Sequence, residues 1–475
     1  MQRLSLSSGF CTAIALGVSL SGCVQGPNYS RPRVEVPPTY RFATVDEAEQ
    51  ARLAKAAWWR EMGDPKLDAL VAEALANNRD LKVATARVAE FDAILLGTKA
   101  QAYPQIGYDL SANRARASED KIPSFVNPLS TTFSALLTAS WEIDLWGRIR
   151  RETEAAQANL FATEEARRGV MLTLISSVIS SYVTLLDLDE RLRIAEVTLD
   201  GRRQWVDLFR ARLKHGYISD FEMTQALAEY ESTAASIPDL KQAIATQEDA
   251  LSVLLGRNPG AITRDRTLDT LRLPTVPSGL PSELLVQRPD ILQAEHQLIA
   301  SNALIGVARA LYFPRISLTG VAGFASSALK NLFSGPARTW SFTGDVAGPI
   351  FTGGGITSAN RQAEARRDQS LALYEKTIQD AFRDVDDSLA EVQNSHELHE
   401  TLARRVVWLQ EGVRLANLRY DNGYTDYINV LDTERGLYNA QLSLTQARGD
   451  RYRAVVSLYR ALGGDWLQKP ASSRQ

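Results

Sequence analysis

The chain repeats itself. Arg212 to Gln225 aligns with Arg419 to Asp432 at a constant offset of 207, with Gly216 on Gly423 and Tyr217 on Tyr424. Upstream the offset is 210: Asp80-Leu81 falls on Asp290-Ile291, Leu95 on Ile305, Tyr103-Pro104 on Phe313-Pro314 and Ile106 on Ile316. Downstream, Leu255-Gly256 falls on Leu462-Gly463. A chain made of two copies of one supersecondary unit folds into two like halves, each burying its apolar faces against something similar. The shift between the two offsets shortens the second copy's middle region.

Each copy changes its hydrophobic period twice. Trp58-Trp59 and Asp64-Pro65 introduce a first helix with the stripe Leu81, Ala84, Val88, Phe91 and Leu95, spaced three and four apart. It stops at Tyr103-Pro104. The period then becomes two in Ile106, Tyr108, Leu110 and Ala112, and again in Phe133, Ala135, Leu137, Ala139, Trp141, Ile143 and Leu145, with polar residues between. Segments of about ten residues with one apolar and one polar face suit transmembrane β-strands. A hairpin packed on a soluble core is the alternative. From Gly147 to Leu213 the pattern is helical, including the seam Leu185, Leu188, Leu192, Ala195 and Leu199; such a rod is about 100 Å long. A second rod, Phe221 to Leu255, returns after the Gly216 turn, and Pro238 is predicted to kink it or locally break its hydrogen-bond ladder.

The second copy has the same plan, with strands at Ile316–Phe324 and Trp340–Ile350. The predicted organisation is a signal peptide at 1–22 and a first repeat at 23–256 (hairpin 103–146, long helices 147–255). A Pro-rich linker at 257–282 leads to a second repeat at 283–464 (hairpin 313–351, long helices 355–463), and a polar tail at 465–475 ends the chain.

The only cysteines are Cys11 and Cys23, which excludes a disulfide framework or a Cys metal site from the rest of the chain. A net charge of −3 gives no electrostatic case for nucleic acid. No internal run is expected to approach the roughly 20 apolar residues of a spanning helix. Arg3, the apolar stretch Gly9–Leu20 and Leu20-Ser21-Gly22-Cys23 form a secretory signal whose end resembles a lipobox, with Cys23 the acylated first residue of the mature chain. Val24, rather than Asp, resembles lipoproteins sorted to the outer membrane. An ordinary signal with an incidental cysteine is the alternative.

Two strands per copy give four per chain, and four cannot close. An open edge in lipid leaves backbone groups unsatisfied at several kcal/mol each. Membrane strands therefore require oligomerisation. Eight strands from a dimer would nearly fill their own interior, whereas twelve from a trimer leave a passage.

At the level of motifs the chain resembles the TolC-like outer-membrane efflux proteins, specifically the lipoprotein branch of the OprM and NodT type. The matching residues are the Cys23 lipobox, Trp58-Trp59 with Asp64-Pro65, Tyr103-Pro104-Gln105-Ile106, and Trp141 through Arg148. Further matches are Leu280 through Leu285, Arg288-Pro289-Asp290-Ile291, Phe313-Pro314-Arg315-Ile316, Pro349 through Gly355, and the two turns. The resemblance implies an α+β membrane protein: a homotrimer with a 12-strand outer-membrane β-barrel continued by a 12-helix periplasmic α-barrel. It implies an exit duct, not an enzyme, without cofactors. The duct would be anchored in outer-membrane lipid and docked through a periplasmic adaptor (membrane fusion protein) to an inner-membrane pump of the RND type.

The resemblance also assigns the turns. It implies that Ile428, Asp432 and Arg435 line a closed periplasmic aperture, with Tyr420 as a latch. It implies that Arg212, Gly216, Tyr217, Arg419, Gly423 and Tyr424 form the adaptor-contacting tips. The spacing is compatible, since Ile428, Asp432 and Arg435 share one helix face, and threefold repetition would make rings that narrow and charge a pore. Asn429 stands where TolC itself has an acidic residue, which removes the case for a doubled acidic ring. An exposed ion pair between Asp432 and Arg435 is the plainer alternative.

Other candidates are weaker. His396 and His399, beside Glu397 and Glu400, lack zincin spacing and continue the seam Phe382, Val385, Leu389 and Val392, so a half-buried helix face is expected rather than a metal site. Gly353-Gly354-Gly355 lacks the Lys-Ser/Thr of a phosphate loop and suits a strand-to-helix bend. Arg148, Arg150 and Arg151 are expected as a solvated or headgroup-facing cluster. The second functional class is an outer-membrane-tethered coiled-coil scaffold or adaptor lipoprotein without a pore. Cargo is not encoded in any motif; three methionines beyond Met1 give no support to a methionine-lined metal route.

Overall fold

The computed structural model describes residues 24–42, 57–118, 120, 123, 127–274 and 281–463. The expected signal peptide, Cys23, the expected tail at 465–475 and part of the expected linker lie outside these. The first copy comprises α1 (Pro65–Asn77), α2 (Arg79–Ala100), β1 (Gln105–Arg116), β2 (Leu129–Ile143), α3 (Arg148–Lys214) and α4 (Asp220–Leu254). The second comprises α5 (Pro281–Gln287), α6 (Pro289–Ala310), β3 (Arg315–Ser326), β4 (Arg338–Ala347), α7 (Gly355–Asp421) and α8 (Tyr427–Ala461). The copies match in length. α3 and α7 have 67 residues each, and α4 and α8 have 35 each. Two pairs differ: the second strands, at 15 residues in β2 and 10 in β4, and the short first helices, at 13 in α1 and 7 in α5.

Asn78 splits the expected first helix in two. Its backbone N–H donates to the Ala74 carbonyl, closing α1, while its side-chain oxygen accepts from Leu81 N–H and opens α2. Its amide also donates to the Leu254 carbonyl at the end of α4 (2.9 Å). Arg288, at offset 210, does the same work with different chemistry: its guanidinium donates to the Ala461 carbonyl at the end of α8 (2.7 Å) and pairs with Asp290 and Asp384. Gly256 and Gly463, both left-handed, lie so close to Asn77 and Arg288 that a Cβ would overlap them.

One compact unit gathers residues up to Arg33, Arg87–Glu164 and Gln293–Glu375. Its described residues hold an antiparallel sheet in the order β1-β2-β3-β4, so the β2–β3 pairing joins the two copies. Opposed residues of a ladder share a face. Ile106↔Ala139, Tyr108↔Leu137, Leu110↔Ala135, Ala139↔Gly320, Trp141↔Leu318 and Gly320↔Phe342 therefore build one apolar face across all four strands. Ser111↔Ser134, Thr319↔Thr343 and Ser317↔Asp345 build a polar one, interrupted by Leu136 and Val321. The apolar face is bare: Tyr108 is 79% exposed and Phe342 81%. Below the sheet, small residues allow α3 and α6 to approach closely at Ala155, Ala158, Ala300 and Ala303. Arg148 and Arg150 are paired with Glu142 and Asp144, but Arg151 departs from the expected solvated cluster. It is 5% exposed and donates to the carbonyls of Gln25 and Gly26 and to the Asn28 side chain.

The other unit gathers Val34–Ala86, Glu165–Leu292 and the chain from Lys376 onward. Its main core packs Trp58 flat on Tyr459 (centroids 4.1 Å apart) and buries Tyr182, whose hydroxyl donates to Asp64, the N-cap of α1 (2.6 Å). The expectation of no long apolar run is corrected here. No charge occurs between Arg168 and Asp187, and α3 carries a window of mean hydropathy 1.8. Leu174, Ile175, Val178, Ile179, Val183, Leu185 and Leu186 from that run are buried in this core. α4 runs through Pro238 as one helix, the missing N–H removing one rung from its ladder.

Candidate functional site

The α3–α4 and α7–α8 turns use one backbone solution. Gly216 and Gly423 adopt φ near +72° and +73° with open space around them, so the conformation, not crowding, calls for glycine. Tyr217 N–H bonds back to the Arg212 carbonyl (3.0 Å) and Tyr424 N–H to the Arg419 carbonyl (2.8 Å), closing each rod. The return helices start differently. Ser219 forms a full capping box with Glu222, whereas Asp426 opens α8 without a side-chain cap. Tyr217 and Tyr424 project from the turns, 80% and 76% exposed.

Just behind the turns the two helical hairpins pack on each other. Phe209 of α3 meets Tyr427 of α8 at 4.5 Å between centroids; Trp205 and Tyr420 complete the aromatic cluster. Met223, Ala226, Val430 and Leu431 fill the remainder. Burial pushes the Tyr427 and Tyr420 phenols upward, the latter opposed by Arg212. Arg212 lies over the Tyr420 ring (5.7 Å) and donates to its hydroxyl at 3.4 Å.

An ion network lies next to this cluster. Glu229 of α4 accepts from Arg435 of α8 (Nε, 2.7 Å) and pairs with Arg202 of α3 (3.1 Å). Arg202 also donates to the Glu229 carbonyl and to Thr233 and sits over the Tyr438 ring. Trp205 donates to Glu434 (3.2 Å), and burial raises that carboxyl above the usual glutamate range. Among the described residues Asp432 is held only by a 3.4 Å bond from Arg435, and it is largely exposed.

The structure thus puts Ile428, Asp432 and Arg435 together on an exposed face of α8, with Tyr420 half-buried behind them. Arg419, Gly423, Tyr424, Gly216 and Tyr217 are at the exposed ends, and Arg212 is half-buried against Tyr420. Glu229, Arg202, Trp205, Phe209, Tyr427 and Glu434 were missed by spacing. Their signal was departure from the repeat: at offset 207, Glu434 replaces Leu227, Arg435 replaces Ala228, and Glu229 faces Gly436. His399 is half-buried and bonded to Arg451 (3.2 Å), while His396 is exposed, outside the expected seam. Among the described residues no group of three or more His, Cys, Asp or Glu is arranged to hold a metal ion.

Comparison with known proteins matches residues 70–257 and 280–464 to the family described as outer membrane efflux protein. The cation efflux system protein CusC of Escherichia coli O6:H1 (strain CFT073) is 36% identical over 462 residues, covering 97% of this chain and 98% of CusC. The solvent efflux pump outer membrane protein SrpC of Pseudomonas putida is 35% identical, covering 94% and 96%. The solved outer-membrane channel OprN superposes with a TM-score of 0.86 at 30% identity, covering 94% of this chain and all of OprN.

Proposed function

The chain belongs to the outer membrane efflux protein family, and on that premise we propose that it is the passive exit duct of a tripartite exporter, opened at the α7–α8 turn when its partners dock. The protein is an outer-membrane efflux channel, not an enzyme. Family membership overturns the pore-free scaffold. The observation that carries the duct reading is the sheet: four strands, one continuous bare apolar face, and β1 and β4 each paired on one side only. Three such sheets closing edge to edge satisfy every ladder and leave a polar lumen.

On this reading Ile428, Asp432 and Arg435 ring the periplasmic aperture, and the Tyr420–Arg212 and Arg435–Glu229 contacts hold it shut. Both contacts join a helix of one repeat to a helix of the other, which supports a latch: parting the hairpins must break them. Gly216, Tyr217, Arg419, Gly423 and Tyr424 are exposed and fit the tips that meet a periplasmic adaptor, with an inner-membrane pump of the RND type beyond it. Cys23 carries the lipid anchor, with each buried CH₂ adding about 0.8 kcal/mol of membrane affinity. The relatives are named for cation and for solvent efflux, so the cargo class follows from the pump rather than the duct. The test is planar-bilayer recording of the purified protein. Discrete channel openings that grow on replacing Asp432 are expected; a protein that never conducts, even as Asp432→Ala, would sink the reading.

A further inference from the structure

The sheet segregates its charges by face. Asp109, Glu142 and Asp345 stand on the polar face, where Glu142 binds Arg315 (3.2 Å) near the end that joins the helices. The apolar face carries cations only, and only at the hairpin end. Side chains alternate along a strand, so Arg114 and Arg116 continue the series Ile106, Tyr108, Leu110 and Ala112 of β1. Likewise Arg338, opposed to Phe324, continues the series Val346, Gly344, Phe342 and Trp340 of β4. Arg338 lies two residues past Trp340, about 7 Å along the strand. All three arginines are exposed, and Arg114 and Arg338 make no ion pair among the described residues.

Their strands are the two edges of the sheet. β2 and β3 present Thr131, Phe324 and Ser326 at the same end of that face, without charge. Edge-to-edge closure sets the hairpin end of one protomer's β4 beside that of the next protomer's β1. We propose that Arg114, Arg116 and Arg338 thereby form, at each seam of the trimer, a site for the phosphates of the glycolipid in the outer leaflet of the outer membrane, with its acyl chains lying on Trp340, Phe342, Tyr108 and Leu110. Arginine forks match phosphate oxygens bidentately. A cation just above an apolar band meets a headgroup phosphate without pulling either out of its layer. The assignment rests on the channel reading, which directs the hairpin connections to the cell exterior.

The test uses the full-length trimer in detergent, titrated with bis-phosphorylated lipid A, its dephosphorylated form and inorganic phosphate. The variants are the triple replacement R114A/R116A/R338A and the triple lysine replacement at the same positions. Lipid A is expected to bind the alanine variant about a hundredfold more weakly, the sum of three cations near an anionic surface, with the lysine variant intermediate because it keeps the charges and loses the forks. Wild-type protein should prefer phosphorylated lipid, and inorganic phosphate should not compete at matched concentration. Equal binding by wild type and the alanine variant, equal binding of dephosphorylated lipid, or competition by free phosphate would each overturn the site. Heat-resistant trimers and bilayer conductance are measured on the same samples. Their loss in wild type tells against the channel reading; intact channels with unaltered lipid binding tell against this inference alone.

Discussion

Arg435 on α8 and Glu229 on α4 tie the return helix of one repeat to the return helix of the other, Nε to Oε1 at 2.7 Å. The tie is asymmetric. The Glu229 side chain is 11% exposed and shared with the buried Arg202, whereas that of Arg435 is 44% exposed. Removing one end therefore differs from removing the other.

Arg435→Ala leaves Glu229 paired with Arg202 and loses a partly screened interaction of about 1 kcal/mol. It is predicted to raise single-channel conductance several-fold while barely moving the melting temperature. Glu229→Ala strands Arg202 without its carboxylate and is predicted to cost about 3–5 kcal/mol as well as loosening the turn. Conductance and thermal melts on both variants check this. Unaltered conductance in Arg435→Ala would remove the contact from the latch.

Asp432 behaves differently because its bond from Arg435 is long and solvent-facing. Asp432→Ala should change stability by less than about 0.5 kcal/mol. Three carboxylates around an axis still attract cations, so the variant is predicted to conduct more and to lose cation preference. Reversal potentials in a salt gradient measure this; an unshifted potential would place Asp432 away from the lumen.

The fold was largely legible because both periods are strong and each is written twice. The alternation of Ile106 to Ala112 and of Phe133 to Ile143 sets the same faces that the observed register sets. What stayed hidden depends on which partner a residue meets. Asn78 divides a helix because Leu254, far along the chain, offers a carbonyl. Glu229 has the spacing of a solvated helix charge, and only the packing of two hairpins turns it inward. The run after Arg168 looked ordinary because its hydroxyl residues dilute it, yet hydroxyls can bond back into their own helix, as the half-buried Thr184 does to the Ser180 carbonyl, and so be accommodated against a core. At the turns, the residues that differ between the copies were better guides than those that agree.

The N-terminal segment gives a separate test. Gly26 and Gly306 touch so closely that a Cβ on Gly26 would lie 2.4 Å from the Gly306 Cα, and one on Gly306 would lie 2.5 Å from the Gln25 carbonyl oxygen. Arg151, Asn302 and Glu295 hold the same segment by hydrogen bonds. Gly306→Leu is predicted to expel the segment at about 1–3 kcal/mol and to open the Arg33–Val34 bond to trypsin. Cleavage there at the wild-type rate would show that the segment can shift without leaving.

Glu434 predicts a pH dependence. Burial raises its pKa in the folded chain above the ordinary value of 4.5, against the opposing bond from Trp205. A carboxyl whose pKa is raised on folding contributes stability that is fully present below the unfolded value and is lost as pH climbs through the folded value. Glu434→Gln keeps an oxygen to accept from Trp205 and removes the charge. The variant should therefore match wild type below about pH 4 and become the more stable of the two as pH rises from there toward neutrality. Because Glu434 lies between α3 and α8, ionising it also loosens the packing behind the turn, so conductance should rise with pH in wild type and stay flat in the variant. Parallel melting and conductance curves against pH read both arms. A constant gap in melting temperature across the range would mean that Glu434 does not titrate differently in the folded protein.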